Sequence, residues 1–192
     1  LVMTLSDHIV VLDNGKVIAA GKPAAIQRDS AVIQAYLGRA PEARTGGERD
    51  ASPQRADTGP VAARARSRDV ESPARERLLE MQEVDVFYGP VQALTKVSLH
   101  VDTAEIVCLL GGNASGKSTT MKTILGLLQP SAGTVSIGGV DATDWPTSAR
   151  IRRGLASVPE ARRIFPAMTV EENLRMGAFL RRDRAEISAD VE

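Results

Sequence analysis

The chain has 192 residues, with 24 basic side chains balancing 24 acidic ones, a size that allows one domain or parts of two. That balance argues against nucleic acid or an anionic membrane as a partner. The single cysteine, Cys108, excludes an internal disulfide and fits a reducing compartment. No stretch approaches the ~20 apolar residues needed to cross a bilayer, and the start lacks the basic-then-apolar pattern of a signal peptide.

Residues 1–38 read as the end of a folded domain. His8 to Asp13 and Lys16 to Ala20 are strand candidates, and Asn14-Gly15 between them is a strong hairpin signal, because both residue types tolerate positive φ. Pro23 suits the first turn of a helix. Ala31 to Leu37 predicts a further helical stretch closed by Gly38. Residues 39–77 then change character: nine Arg, seven acidic residues and four Pro stand with no Leu, Ile, Met or Phe. Too little apolar surface is on offer there to offset the entropy of ordering, so a charged linker is expected, spanning on the order of 35 Å as a random coil. Its interspersed acids argue against a basic tether for nucleic acid.

Residues 78–192 open a second folded unit. Leu79 to Phe87 and Val91 to Val101 predict two strands. Glu105 to Leu110 is a nearly continuous apolar run, the pattern of a strand buried on both faces, and it places Cys108 mid-strand as a buried structural thiol. Residues 111–118 then read Gly-Gly-Asn-Ala-Ser-Gly-Lys-Ser, matching G-x-x-x-x-G-K-[ST]. Apolar residues at helical spacing follow from Thr119 to Leu128. Strand, glycine loop and helix together form the arrangement that holds a nucleoside triphosphate. Gly111 and Gly116 let the backbone bend so that N–H groups, including those of Asn113 and Ser115, converge on phosphate oxygens. The helix start at Lys117 to Thr119 adds its dipole. Lys117 brings a full charge to the β- and γ-phosphates, and the Ser118 hydroxyl suits Mg²⁺. Further on, strands are expected at Gly133 to Ile137 and Leu155 to Val158, with a Gly138-Gly139 turn after the first. Thr169-Val170-Glu171-Glu172 is a capping box for a helix over 170–180, whose apolar members Val170, Leu174 and Gly177-Ala178 are expected to pack in the core. A polar helical stretch ends the chain.

The residues beyond the loop resemble ATP-binding-cassette (ABC) ATPases. Phe87-Tyr88-Gly89-Pro90-Val91-Gln92-Ala93-Leu94 is similar to the segment in which that family stacks an aromatic ring on adenine, a role that falls on Tyr88. Val158-Pro159-Glu160-Ala161-Arg162-Arg163-Ile164-Phe165 resembles the family's switch loop. A Gln there usually reaches Mg²⁺ and the attacking water; here Glu160 holds the position, and a carboxylate is a competent Mg²⁺ ligand. The finer resemblance is to the second ATP-binding subunit of branched-chain amino-acid importers, carried also by Asp141 to Trp145 and by Met168 to Gly177. Residues 1–38 resemble the tail of the first such subunit, through Val-Met-x-Leu-Ser-Asp-x-Ile and Ala35-Tyr36-Leu37-Gly38.

The resemblance implies an α/β P-loop NTPase of ABC type, incomplete, with an N-terminal antiparallel β subdomain, preceded by the β-hairpin/helix tail of another cassette. The expected division is 1–38 tail of a first ABC ATPase domain, 39–77 linker, and 78–192 N-terminal half of a second. It further implies ATP and Mg²⁺ as cofactors, transmembrane permease subunits and a second ATP-binding domain in a head-to-tail dimer as partners, no nucleic acid, and peripheral attachment at the cytoplasmic face of the inner membrane. A urea or short-amide importer, and a soluble cassette protein working on ribosomes or DNA, are the rival readings. Ala114 departs from the family, which usually has glycine inside the loop; if that position needs positive φ, the methyl costs about 1 kcal/mol. The signature segment, the Walker B Asp with its catalytic Glu, and the switch His are not found in the chain, so no general base is assigned and a fragment is expected, active only as part of a longer protein. Arg150/Arg152/Arg153, Arg162/Arg163 and Arg181/Arg182/Arg184 are expected to be exposed charged faces, the middle pair having the better claim to a membrane partner. Trp145 is expected to pack at a domain edge.

Overall fold

The computed structural model describes residues 2–37, 76–160 and 164–191. The expected linker, all but its last two residues, therefore lies outside the described residues, as do Gly38, Arg162 and Arg163. The N-terminal segment forms α1 (Val2–Leu5), β1 (His8–Asp13), β2 (Lys16–Gly21), α2 (Pro23–Ile26) and α3 (Ser30–Leu37). Asn14 and Gly15 take φ of 45° and 75°, as a type I′ hairpin turn requires at both central positions. Pro23 opens α2 without forfeiting a helical hydrogen bond. The Asp29 carboxylate accepts from the Ala31 and Val32 N–H groups at 2.8 and 3.3 Å, satisfying two of the donors left free at the start of α3.

The second segment forms β3 (Arg77–Tyr88), β4 (Val91–Asp102), β5 (Val107–Gly111), α4 (Lys117–Ile124), β6 (Ala132–Ile137), β7 (Val140–Asp141), α5 (Thr147–Arg152), α6 (Val170–Gly177) and α7 (Arg184–Val191). Two sheets result. One is antiparallel throughout, in the order β4-β3-β6-β7, and corresponds to the expected antiparallel subdomain. The other runs β2-β1-β5, with β1 antiparallel to β2 and parallel to β5, from His8 opposite Val107 to Leu12 opposite Gly111. The N-terminal hairpin is thus built into the sheet that carries the phosphate loop.

The composition of β1 accounts for this placement. In Ile9-Val10-Val11-Leu12 successive side chains point to opposite faces, and each residue is at most 2% exposed. Val10 and Leu12 join Met81, Val84, Val86, Leu94, Val97 and Ile124 in one cluster, which binds the two sheets together. Ile9 and Val11 pack on the other face with Ile26, Cys108 and Leu110. Burial of such side chains is worth about 1.5–3 kcal/mol each, so a strand apolar on both faces is stable only with cover on both. β5 is expected to be buried on both faces, with Cys108 a buried thiol, but every residue of β5 is only half-buried, Cys108 packing against the second cluster.

Three further expectations change. Residues 155–158 form no strand: Val158 is 98% exposed, and the second edge of β5 carries no strand among the described residues. The helix after the loop stops at Ile124, not Leu128, because the chain turns at Gly126, whose φ is 73°. The third concerns α6. Its capping box forms as expected, with Thr169 Oγ1 accepting from Glu172 N–H and the Glu172 carboxylate accepting from Thr169 N–H. The helix nonetheless ends at Gly177, a poor helix former, and its apolar face is not core: Val170 is 78% and Leu174 53% exposed.

Candidate phosphate-binding site

The phosphate loop leaves β5 at Gly111 and enters α4 at Gly116, whose φ of 109° and ψ of −4° lie in the left-handed region. A Cβ on Gly111 would overlap the Ser115 side chain and the Leu12 carbonyl, and one on Gly116 would lie 2.8 Å from Leu94 Cδ2. Gly111 is therefore demanded by close approach to backbone as well as by its own φ of 154°, and Gly116 chiefly by backbone shape. Ala114 has a φ of 61°, so the departure seen in the sequence falls on a position that does require positive φ, at a cost of about 1–2 kcal/mol.

Lys117 folds over the loop. Its Nζ donates to the Gly111 and Gly112 carbonyls at 2.8 and 2.6 Å, with Ser115 Oγ at 3.4 Å. The ammonium is thereby held at the centre of the turn, in place to meet phosphate oxygens. Ser115 is buried, and Ser118 is exposed on the first turn of α4. Thr120 and Thr123 bond back to the Gly116 and Thr119 carbonyls at 3.1 and 2.9 Å, which ties the helix start to its first turns.

A cavity of about 500 Å³ opens over this loop, lined by residues 114–119, by Val91, Gln92 and Ala93 of β4, and by Asn14 and Gly15. Ser115, Gly116, Lys117, Ser118 and Thr119 are thus brought together as expected. Gly111 lies behind the loop at the end of β5, and Asn113 is exposed on it. Tyr88 ends β3 with its side chain 44% exposed, opposite Val91 in register but outside the cavity lining. Glu160 is exposed, in the loop after α5. Among the described residues no group of three or more His, Cys, Asp or Glu side chains is disposed to hold a metal ion.

Arg150 anchors the far end of the same helix. Sequence patterning assigned it to an exposed charged face, yet it is wholly buried. Its guanidinium donates to the Thr123 and Ile124 carbonyls at 2.8 Å, to Thr143 O at 2.8 Å and to Trp145 O at 3.1 Å. The first two belong to the last turn of α4, where the dipole favours a cation; the Thr123 carbonyl also accepts from the Gly126 N–H at 3.0 Å. Burial lowers the Arg150 pKa from its ordinary value, but a guanidinium stays charged in proteins. Sequence reasoning also missed Asn14 and Gly15 as cavity residues; their hairpin signal was visible, but the partner of the hairpin was not.

Strand, glycine loop, lysine and helix around one cavity define a P-loop nucleotide-binding fold. A family model described as "ABC transporter" matches residues 94–192, just over half of the chain, and the chain belongs to that family. A second, "Branched-chain amino acid ATP-binding cassette transporter", matches residues 16–42. Among curated relatives, the high-affinity branched-chain amino acid transport ATP-binding protein BraG of Pseudomonas aeruginosa is 43% identical over 53% of this chain and 44% of its own length. The sulfate/thiosulfate import ATP-binding protein CysA of Mycobacterium tuberculosis is 42% identical over 55% of this chain and 29% of its own. The arabinose import ATP-binding protein AraG of Azospirillum brasilense is 37% identical over 56% and 21%. The chain spans less than half the length of these relatives. A dimeric bacterial ABC transporter cassette, MJ0796, shares the fold at a TM-score of 0.50 and 24% identity, over 55% of this chain and 48% of that one. No helix among the described residues is long and apolar enough to cross a membrane.

Proposed function

We propose that the chain is part of an ATPase subunit that energises import of branched-chain amino acids. The observation that carries the nucleotide part is the loop at 111–118, with Lys117 centred on its carbonyls beneath an open cavity. In this reading Gly111, Asn113, Ser115, Gly116, Lys117, Ser118 and Thr119 hold the phosphates, and Tyr88 stacks on the adenine. Mg²⁺, bound with the nucleotide, neutralises phosphate charge, with Ser118 and Glu160 as its protein ligands. Two such domains close head-to-tail over ATP against transmembrane permease subunits, at the cytoplasmic face of the inner membrane. The 192 residues alone bind nucleotide without turning it over, since no carboxylate in them is assigned as general base. By resemblance, residues 1–38 derive from the tail of one ATP-binding subunit, 39–77 from a linker, and 78–192 from the first half of the next; within this chain the hairpin of the first part packs in the sheet of the second.

The family match at 16–42 and the likeness to BraG support branched-chain amino acids as substrate. Relatives named for sulfate and arabinose import are similar to more than half of this chain at 42% and 37% identity, so in this reading the substrate is recognised by other components. Uptake of labelled leucine and labelled urea, in cells carrying the full-length protein with its permease, tests this. Leucine uptake that depends on Lys117 is expected; urea uptake without leucine uptake would reassign the importer.

A further inference from the structure

We propose that the Asn14–Gly15 turn is a working part of the triphosphate site, positioning the phosphate loop from outside it. This rests on the nucleotide-binding reading above. Gly15 N–H donates to the Ser115 carbonyl at 2.9 Å, and Gly15 O accepts from Thr95 N–H at 2.8 Å. The turn therefore links β4 to the loop through one residue, 100 positions away from Ser115 in the chain. Gly15 is buried, its φ is 75°, and a Cβ there would overlap the Ala93 carbonyl. From the other side, a Cβ on Gly116 would lie 3.4 Å from Gly15 Cα. Asn14 and Gly15 both line the cavity.

A turn that only reverses a hairpin needs none of this. Gly139, between β6 and β7, has a φ of 72° and nothing within 4 Å of its would-be Cβ. Gly15 shares that backbone shape but is wedged between β4 and the phosphate loop. By fixing the Ser115 carbonyl it fixes the peptide that joins Ser115 to Gly116, whose N–H faces the anion in a loop of this type. The N-terminal hairpin, which ends at Gly21 while β5 begins at Val107, thus contributes to nucleotide affinity and not only to the sheet.

Hydrogen–deuterium exchange of the whole chain with and without MgATP tests the idea on the unaltered protein. The expected result is that segments 12–17 and 111–119 both gain protection. Protection of 111–119 with 12–17 unchanged overturns the inference while leaving the nucleotide reading intact; no ATP response in either segment refutes both. In parallel, Gly15→Ala is expected to weaken ATP binding at least tenfold while Gly139→Ala leaves it unchanged. Equal affinities for the two variants overturn the proposal. Where Gly15→Ala fails to fold, the exchange experiment decides alone.

Discussion

Residues 2–37 and residues 164–191 carry local signals of similar strength and reach opposite outcomes. In the first region every residue of Ile9-Val10-Val11-Leu12 is at most 2% exposed, while in the second Val170, Leu174 and Phe179 are 78%, 53% and 76% exposed. The capping box of α6 is complete, with both reciprocal hydrogen bonds formed. The hairpin of β1 and β2 is no better specified locally. The difference is that β1 has β5 beside it and cover on both faces, whereas α6 has α7 and its own loop as its main neighbours among the described residues. Local chemistry makes an element; a partner surface makes a core.

The largest effect should come from breaking the buried side of that comparison. Val11→Asp places a carboxylate between the Ile26 cluster and β5 and is expected to cost about 4 kcal/mol or more, read as a lowered urea midpoint. The matched change Val170→Asp should lie within about 0.5 kcal/mol of the parent, because the site is exposed and an acid in the first turn of a helix suits its dipole. Equal losses for the two would mean that the helix face is covered after all. Next in size is Arg150→Met, which strips the charged partner from carbonyls at the end of α4. Thr123 O keeps its bond from Gly126 N–H, but the Ile124 and Thr143 carbonyls lose their donor; with about 1–3 kcal/mol for each buried acceptor left unpaired, a loss of about 3 kcal/mol is expected in the same urea experiment. A loss below about 1 kcal/mol would mean that water or a neighbour replaces the guanidinium.

Ala114→Gly sharpens the other end of the same helix. Removing the methyl from a residue at a φ of 61° should tighten ATP binding, by at most about thirtyfold for ~1–2 kcal/mol of strain; weaker binding would show that the loop tolerates alanine better than glycine. The smallest effect concerns pH. Hydrogen bonds from the Thr169 backbone N–H and then its side chain lower the Glu172 pKa from its ordinary value. A depressed folded-state pKa gives stability that is present above the unfolded value and lost as pH falls through the folded one. Fraying of α6, followed by amide exchange, should therefore begin only below about pH 4, and Thr169→Ala, which removes the side-chain bond but keeps the backbone one, should weaken that dependence without abolishing it.

Much of this site was legible in the sequence because its requirements are local. Gly111, Gly116 and Lys117 sit within seven positions, and the strand before and helix after them follow from hydrophobic runs. The strain at Ala114 was legible too, once the loop was recognised. What escaped was non-local. The pairing of His8–Leu12 with Val107–Gly111 joins residues about 100 apart, and no periodicity within β1 names its partner. Arg150 escaped for a related reason: next to Arg152 and Arg153 it reads as solvated charge, and only the fold brings the Thr123 and Ile124 carbonyls to it. The strand expected at 155–158 failed in the reverse sense, having apolar residues but no edge to join.

In the proposed function Lys117, held over the Gly111 and Gly112 carbonyls, makes this chain a nucleotide-binding one. Equilibrium titration of the whole chain and of Lys117→Ala with MgATP tests it directly. Saturable binding by the parent, weakened at least about tenfold in the variant, a difference of about 1.4 kcal/mol, is the predicted result. Equal affinity of the two proteins for ATP would contradict it.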